Sequence, residues 1–256
     1  MKVIVPIYNT QGFNQTVNTL AQLAPSDTTF MLVSGNMDKA LDVTWVNRTA
    51  KDLKGRFPLS TVVIATAGLA HVRILTAQVT SPVEGVVYIY EPNFANEPEF
   101  TWDFEATLES FATVRSLAHA NNLRAIGKPT GRPLYQKYLY KHRWDYAALS
   151  TEVDELFVQT QTYCKKGSIV FAGALERLVT QLATRRQSAE PPSPVSVQIS
   201  VDPASPNGVG AESSRACLES VSGYVRKGEL AGVMVWWSPR FVTEAAACLE
   251  MLNAQV

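Results

Sequence analysis

Short β-branched runs alternate along this chain with longer stretches in which apolar residues recur every three or four positions. The runs are KVIVPIYN (2–9), TFMLVSG (29–35), TVVIATA (61–67), GVVYIYE (85–91), LRAIGK (123–128), ELFVQTQ (155–161), PVSVQISVD (194–202) and AGVMVWWS (231–238). Apolar side chains fall on both faces of most of them. That is the pattern of parallel strands covered by helices, not of an antiparallel sheet wet on one side. Between the runs, DFEATLESFATVRSLA sets Phe104, Leu108, Phe111, Val114 and Ala118 on one helical face. VFAGALERLVTQLATRR does the same with Phe171, Leu175, Leu178, Val179 and Leu182, and FVTEAAACLEML with Val242, Ala245, Ala246 and Leu249. Ser238 before Pro239 reads as a helix start, a capping residue followed by a first-turn proline.

Eight strand–helix units in 256 residues predict one closed (β/α)8 TIM barrel spanning 1–256. The competing fold is an open doubly wound sheet, which carries a GxGxxG turn after its first strand; PIYNTQGFNQ has none. SAEPPSPVS (188–196) reads as a loop before strand seven, not as a domain linker. PASPNGVGAES (203–213) is a long Gly/Pro-rich loop on the side where barrels carry function.

Barrel chemistry sits at the C-terminal strand ends. Strand period two refines which side chains reach it. Along strand seven, Val195, Val197, Ile199 and Val201 share one face and Ser196, Gln198, Ser200 and Asp202 the other. Helices cover the outside, so the polar set points into the barrel, where it needs partners or water. Gln159 and Gln161 end strand six in a similar way. Glu91 closes strand four on the face of Val87 and Ile89. Two roles fit it: an ion pair with Lys128 on the neighbouring strand, or a carboxyl whose partly apolar surroundings raise its pKa for proton donation. Asn9, Asn36, Trp236 and Trp237 also lie at strand ends.

Charge removes several function classes. With 23 basic and 23 acidic residues the chain has no field to draw nucleic acid or an anionic membrane. No apolar run approaches the roughly 20 residues of a membrane span. The start, MKVIVPIYNT, reads as a strand and not as a secretory leader, which points to a soluble cytoplasmic protein. Cys164, Cys217 and Cys248 are far apart, as are His71, His119 and His142, with no ligand spacing among them. They are expected to be packing or surface residues, without disulfide, metal or cofactor.

The strand ends resemble those of TIM-barrel glycoside hydrolases. In the large clan of retaining barrel glycosidases, strand four ends in Asn-Glu-Pro, with the Glu as acid/base; Tyr90-Glu91-Pro92 is similar here. Strand eight of those enzymes, and of chitinase-like barrels, ends in a Trp under the sugar, as VMVWWS does. VPIY, FMLVSGN, VVIATAG with Arg73 behind it, and EGVVYIYE also follow the order of spherulin-4-type glycosidase barrels, over the first third of the chain. The resemblance implies Glu91 as general acid/base and Asp202, on strand seven, as nucleophile or base. It implies Trp236 and Trp237 as the stacking floor for a small-molecule or oligosaccharide substrate, with Tyr90, Gln159, Gln161, Lys128, Asn9 and Asn36 as contacts. Such chemistry needs two carboxyls, and Glu97, Glu99 and Asp103 are other candidates for the second unless they are helix N-terminal acids.

Three alternatives stay open. Lys128 could form a Schiff base, as in aldolase-like lyases. PNGVGAESS, with Gly208 and Gly210 before a helix starting at Ser213 or Ser214, could cradle a phosphate. A barrel without turnover could bind a small ligand through Trp236, Trp237, Tyr88, Tyr90 and Gln161.

Overall fold

The computed structural model describes residues 1–9, 27–35, 40–80, 82–92, 99–135, 143–185, 192–202, 209–237 and 239–253. Its strands are β1 (Lys2–Tyr8), β2 (Thr29–Val33), β3 (Thr61–Ala67), β4 (Gly85–Tyr90), β5 (Arg124–Pro129), β6 (Glu155–Val158), β7 (Val195–Ser200) and β8 (Gly232–Trp236). Each pairs in parallel with the next, and β8 returns to β1, so the sheet is a closed barrel and not an open doubly wound sheet. The described helices are α1 (Val43–Arg56), α2 (Leu69–Gln78), α3 (Phe104–His119), α4 (Tyr146–Thr151), α5 (Gln161–Cys164), α6 (Ser168–Arg185), α7 (Ala211–Arg226) and α8 (Val242–Asn253). A 3-10 turn, Pro239–Phe241, leads into α8. Helix α7 starts at Ala211 behind Gly210, ahead of the serines at which the sequence placed its start. Among the described residues no helix is long and apolar enough to cross a membrane.

Strand alternation sorts the apolar residues into two layers. Val3, Val5, Ile7, Val62, Ile64, Val197 and Ile199 face outward and pack with helix residues such as Phe111, Leu175 and Leu249. Ile4, Met31, Val63, Val87, Ile126, Phe157 and Met234 fill the inside of the ring. Two glycines are required by close approach. At Gly127 a Cβ would lie 2.3 Å from Phe111 Cε1, and at Gly232 it would lie 2.0 Å from the Lys2 carbonyl oxygen. The second obstacle is backbone, at the seam where β8 meets β1. Gly232→Ala is therefore expected to destabilise the fold by about 1–3 kcal/mol. Gly223→Ala, in α7 with nothing within 4 Å, should instead stabilise it by roughly 0.5–1 kcal/mol. Urea unfolding of the two variants checks the contrast.

The N-terminal end of the barrel is closed by charge. Lys2 donates to both carboxylate oxygens of buried Glu155, at 2.6 and 2.5 Å, and lies over the Phe157 ring. Arg124 approaches the same carboxylate at 3.7 Å. Glu155 also sits at the shortest strand pairing: β5 and β6 share two register pairs, with an isolated bridge from Thr130 to Gln159 beyond them.

The cysteines depart from expectation. Cys164, the last residue of α5, forms a disulfide with Cys217 on α7, with Cα atoms 6.0 Å apart. Their spacing of 53 residues matches no framework signature; the fold alone brings them together. Cys248 is buried and free. His71 Nδ1 bonds the carbonyls of Gly35 and Ala67, and His119 pairs with Asp154 at 2.8 Å. His142 lies outside the described residues.

Candidate functional site

The polar face read from strand seven lies inside the barrel. Val195, Val197, Ile199 and Val201 belong to the outer layer, which turns Ser196, Gln198 and Ser200 inward, all buried. Ser196 Oγ, Gln198 Oε1 and Ser200 Oγ have no hydrogen-bond partner among the described residues. Ser200 is in register with Trp236, and Gln198 with Met234 one layer deeper.

Lys128 enters the same space from β5. Ile126 faces in and Gly127 lies under Phe111 outside, so Lys128 faces in again. It is 1% exposed. Its ammonium crosses the lumen to β8 and stands 4.7 Å from the centroid of the Trp236 ring. The ion pair with Glu91 is not formed: among the described residues no carboxylate oxygen lies within 4.0 Å of Lys128 Nζ. The long side chain reaches an aromatic face across the lumen instead of the rim. Burial lowers the amine pKa to about 8, a shift that the negative charge of Glu91 partly opposes.

Trp236 is partly exposed and meets Tyr8 edge-on, with ring centroids 5.2 Å apart. Burial, and after it the charge of Asp202, pushes the Tyr8 phenol well above its usual pKa. Glu91 thus acts on Lys128 and Asp202 on Tyr8, and both carboxylates are half-buried just beyond the ends of β4 and β7. Tyr8 was not among the residues singled out from the sequence. It is the last inward position of β1, two and four residues beyond Pro6 and Ile4, and counting strand period from the apolar run would have found it.

The remaining candidates divide. Gln159 is buried on the inward face, and its Nε2 donates to the Lys128 carbonyl at 3.3 Å. Gln161 is the first residue of α5, not part of a strand, and its Oε1 is buried without a partner among the described residues. Asn9 is exposed and donates to Asp42, the capping residue of α1, at 3.1 Å. Asn36, Glu97, Gly208 and Ser238 lie outside the described residues.

Tyr90 and Trp237 are not at the mouth. Ile89 faces in, so Tyr90 faces out; its buried hydroxyl donates to Thr101 O at 2.8 Å and accepts from the Thr107 hydroxyl at 3.0 Å. Trp237 follows inward Trp236 and is buried in the outer layer, its Nε1–H donating to Pro6 O at 3.0 Å. Of the two tryptophans, only Trp236 faces the lumen. Tyr88 faces out as well and bonds Glu99. Asp103 caps α3, and Glu99 accepts the Leu69 N–H at the start of α2, so both acids are occupied in structure. Among the described residues no group of three His, Cys, Asp or Glu is placed to hold a metal ion.

No protein-family model matches the chain, and no curated protein matches it. Solved structures do, by fold. A glycoside hydrolase family 18 N-acetylglucosaminidase from Paenibacillus barengoltzii aligns with TM-score 0.64 and 12% identity over 99% of both chains. The PgaB (BpsB) glycoside hydrolase domain from Bordetella bronchiseptica aligns with TM-score 0.63 and 10% identity, covering 98% of this chain and 97% of that one. The dihydropteroate synthase of Yersinia pestis also aligns, with TM-score 0.50, 11% identity and coverage of 99% and 93%. The chain thus resembles TIM-barrel glycoside hydrolases in fold, and at these identities the likeness extends to fold alone.

Proposed function

We propose that the C-terminal mouth of the barrel acts on a carbohydrate or glycoside. Glu91 serves as general acid/base and Asp202 as the second carboxyl, nucleophile or base. Trp236 is the floor on which the sugar packs, its indole suited to the apolar face of a pyranose ring. The observation that carries this reading is a single inward, partly exposed tryptophan at the level where β4 and β7 release two half-buried carboxylates. In such a site the acid protonates the departing glycosidic oxygen while the second carboxylate attacks the anomeric carbon or activates a water. The glycoside hydrolases among the fold neighbours are compatible with this assignment.

The test is Glu91→Gln, assayed on a panel of nitrophenyl glycosides and oligosaccharides that the wild type cleaves. Turnover should fall at least about 100-fold with an unchanged melting temperature. An undiminished rate rejects Glu91 as the acid.

One observation favours a second reading. Lys128 is buried, has no carboxylate within 4.0 Å among the described residues, and has a pKa lowered to about 8, so some of it is neutral near physiological pH and can attack a carbonyl, as in Schiff-base lyases. Borohydride reduction in the presence of aldehydes and keto acids would leave a mass adduct on Lys128; an unmodified lysine excludes it.

A further inference from the structure

Among the described residues two lysines project into this barrel, and the protein treats them differently. At the N-terminal end Lys2 is held by the Glu155 carboxylate, which Arg124 also approaches. Near the mouth Lys128 is more deeply buried than Lys2, yet among the described residues it meets only the Trp236 ring. A buried charge is retained at a cost unless a counter-charge or hydrogen-bonding groups complete it. A cation–π contact supplies part of that and leaves the ammonium hydrogens unused.

The surrounding polar atoms are incomplete too. Ser200 stands in register beside Trp236 on the neighbouring strand, with Gln198 and Ser196 below it, and each carries a buried oxygen without a partner among the described residues. Serine hydroxyls rotate to donate or accept, whereas the Gln198 atom left over is an amide oxygen, which only accepts. The Lys128 ammonium over Trp236 and the Ser200 hydroxyl in register beside that ring are a donor pair, and its complement is an oxyanion.

We infer that the mouth takes a sugar bearing an oxyanion, a carboxylate or a sulfate or phosphate ester, whose charged group descends past Trp236 to Lys128 and Ser200. The inference rests on the carbohydrate reading above and narrows its substrate class. The rim carboxylates stand above that charged group, not beside it. Ile89 is in register with Lys128, and Glu91 lies two residues further on, about 6–7 Å along the strand. Asp202 stands two residues beyond Ser200 in the same way. The oxyanion is thus held one layer beneath the groups that would act on the glycosidic bond.

Calorimetric titration tests this with three ligands of matched length: a uronic-acid oligosaccharide, a sulfated one and a neutral one. The wild type should bind at least one anionic ligand about tenfold more tightly than the neutral one, and which of the two is preferred identifies the source of the charge. Lys128→Met and Lys128→Gln should both lose that preference while still binding the neutral ligand. Equal affinities in the wild type, or a preference that survives in both variants, overturns the inference and leaves the carbohydrate reading intact. If neither neutral nor anionic sugars bind, the carbohydrate reading fails and the inference falls with it.

Discussion

Removing the Cys164–Cys217 bond by the double substitution Cys164→Ala/Cys217→Ala should lower the melting temperature by about 10 °C. A cross-link over 53 residues restricts the unfolded chain enough to contribute on the order of 4 kcal/mol in the chain-entropy treatment. In a domain of this size each kcal/mol moves the midpoint by roughly 2–4 °C. Both cysteines are buried, so added reductant would reach the bond slowly in the folded protein, and the double variant makes the cleaner comparison. Scanning calorimetry of the two oxidised proteins decides it; a shift under about 2 °C would mean that the native pairing adds nothing. The bond fastens α5, behind β6, to α7, behind β7, and so holds together the two strands that carry Gln159 and the inward serines. In the cytoplasm expected from the sequence, the glutathione pool keeps such thiols reduced. The gain is realised only where the pair can oxidise.

Lys128→Met should act in the opposite direction and raise stability at pH 7 by on the order of 3 kcal/mol, because each unit of pKa displacement corresponds to about 1.4 kcal/mol. Folding lowers this amine from 10.5 to about 8, so the fold disfavours the charged form. Below about pH 8 the lysine is protonated in both the folded and unfolded states, and the penalty is present in full. Between 8 and 10.5 the folded protein has lost the proton that the unfolded chain still holds, so stability rises with pH across that window. Methionine follows nearly the same path without the charge. Urea unfolding at pH 7 and pH 10 should show the wild type gaining on the variant as pH rises. A variant less stable than wild type at pH 7 would show that Trp236 and the lumen already satisfy the cation. A residue that weakens the fold and is kept in the mouth has the profile of a functional group.

Much of this architecture was legible in the sequence. All eight strands lie where β-branched runs placed them, because parallel strands buried on both faces have little else to be made of. Strand seven was the most informative, since Val195, Val197, Ile199 and Val201 against Ser196, Gln198 and Ser200 fixed both the inside and its polarity. The same alternation was overruled at Tyr90 and Trp237, where likeness to a strand-end motif outweighed the inward positions of their neighbours Ile89 and Trp236. Lys128 was placed on the right wall, and of the two roles weighed for Glu91 the ion pair with it is not formed. Register puts it beside β4, yet a four-carbon stem can cross to β8, and no sequence pattern reports that reach. The disulfide was hidden for a similar reason: helices α5 and α7 are brought side by side by ring closure, and cysteine spacing carries no trace of it.

The short join between β5 and β6 bears on how this protein fails. A closed ring has no free strand edge, which protects it from pairing with other chains. Two register pairs and one bridge hold the circle here, no more than the three pairs at β6–β7 and at β8–β1, so little ladder must be broken to part it. Opening there uncovers two rows of unpaired backbone amides and carbonyls at once, one on each side of the gap. Under heat or mild denaturant that gap is the place where one copy would recruit another, so loss of the native state and aggregation share a starting point.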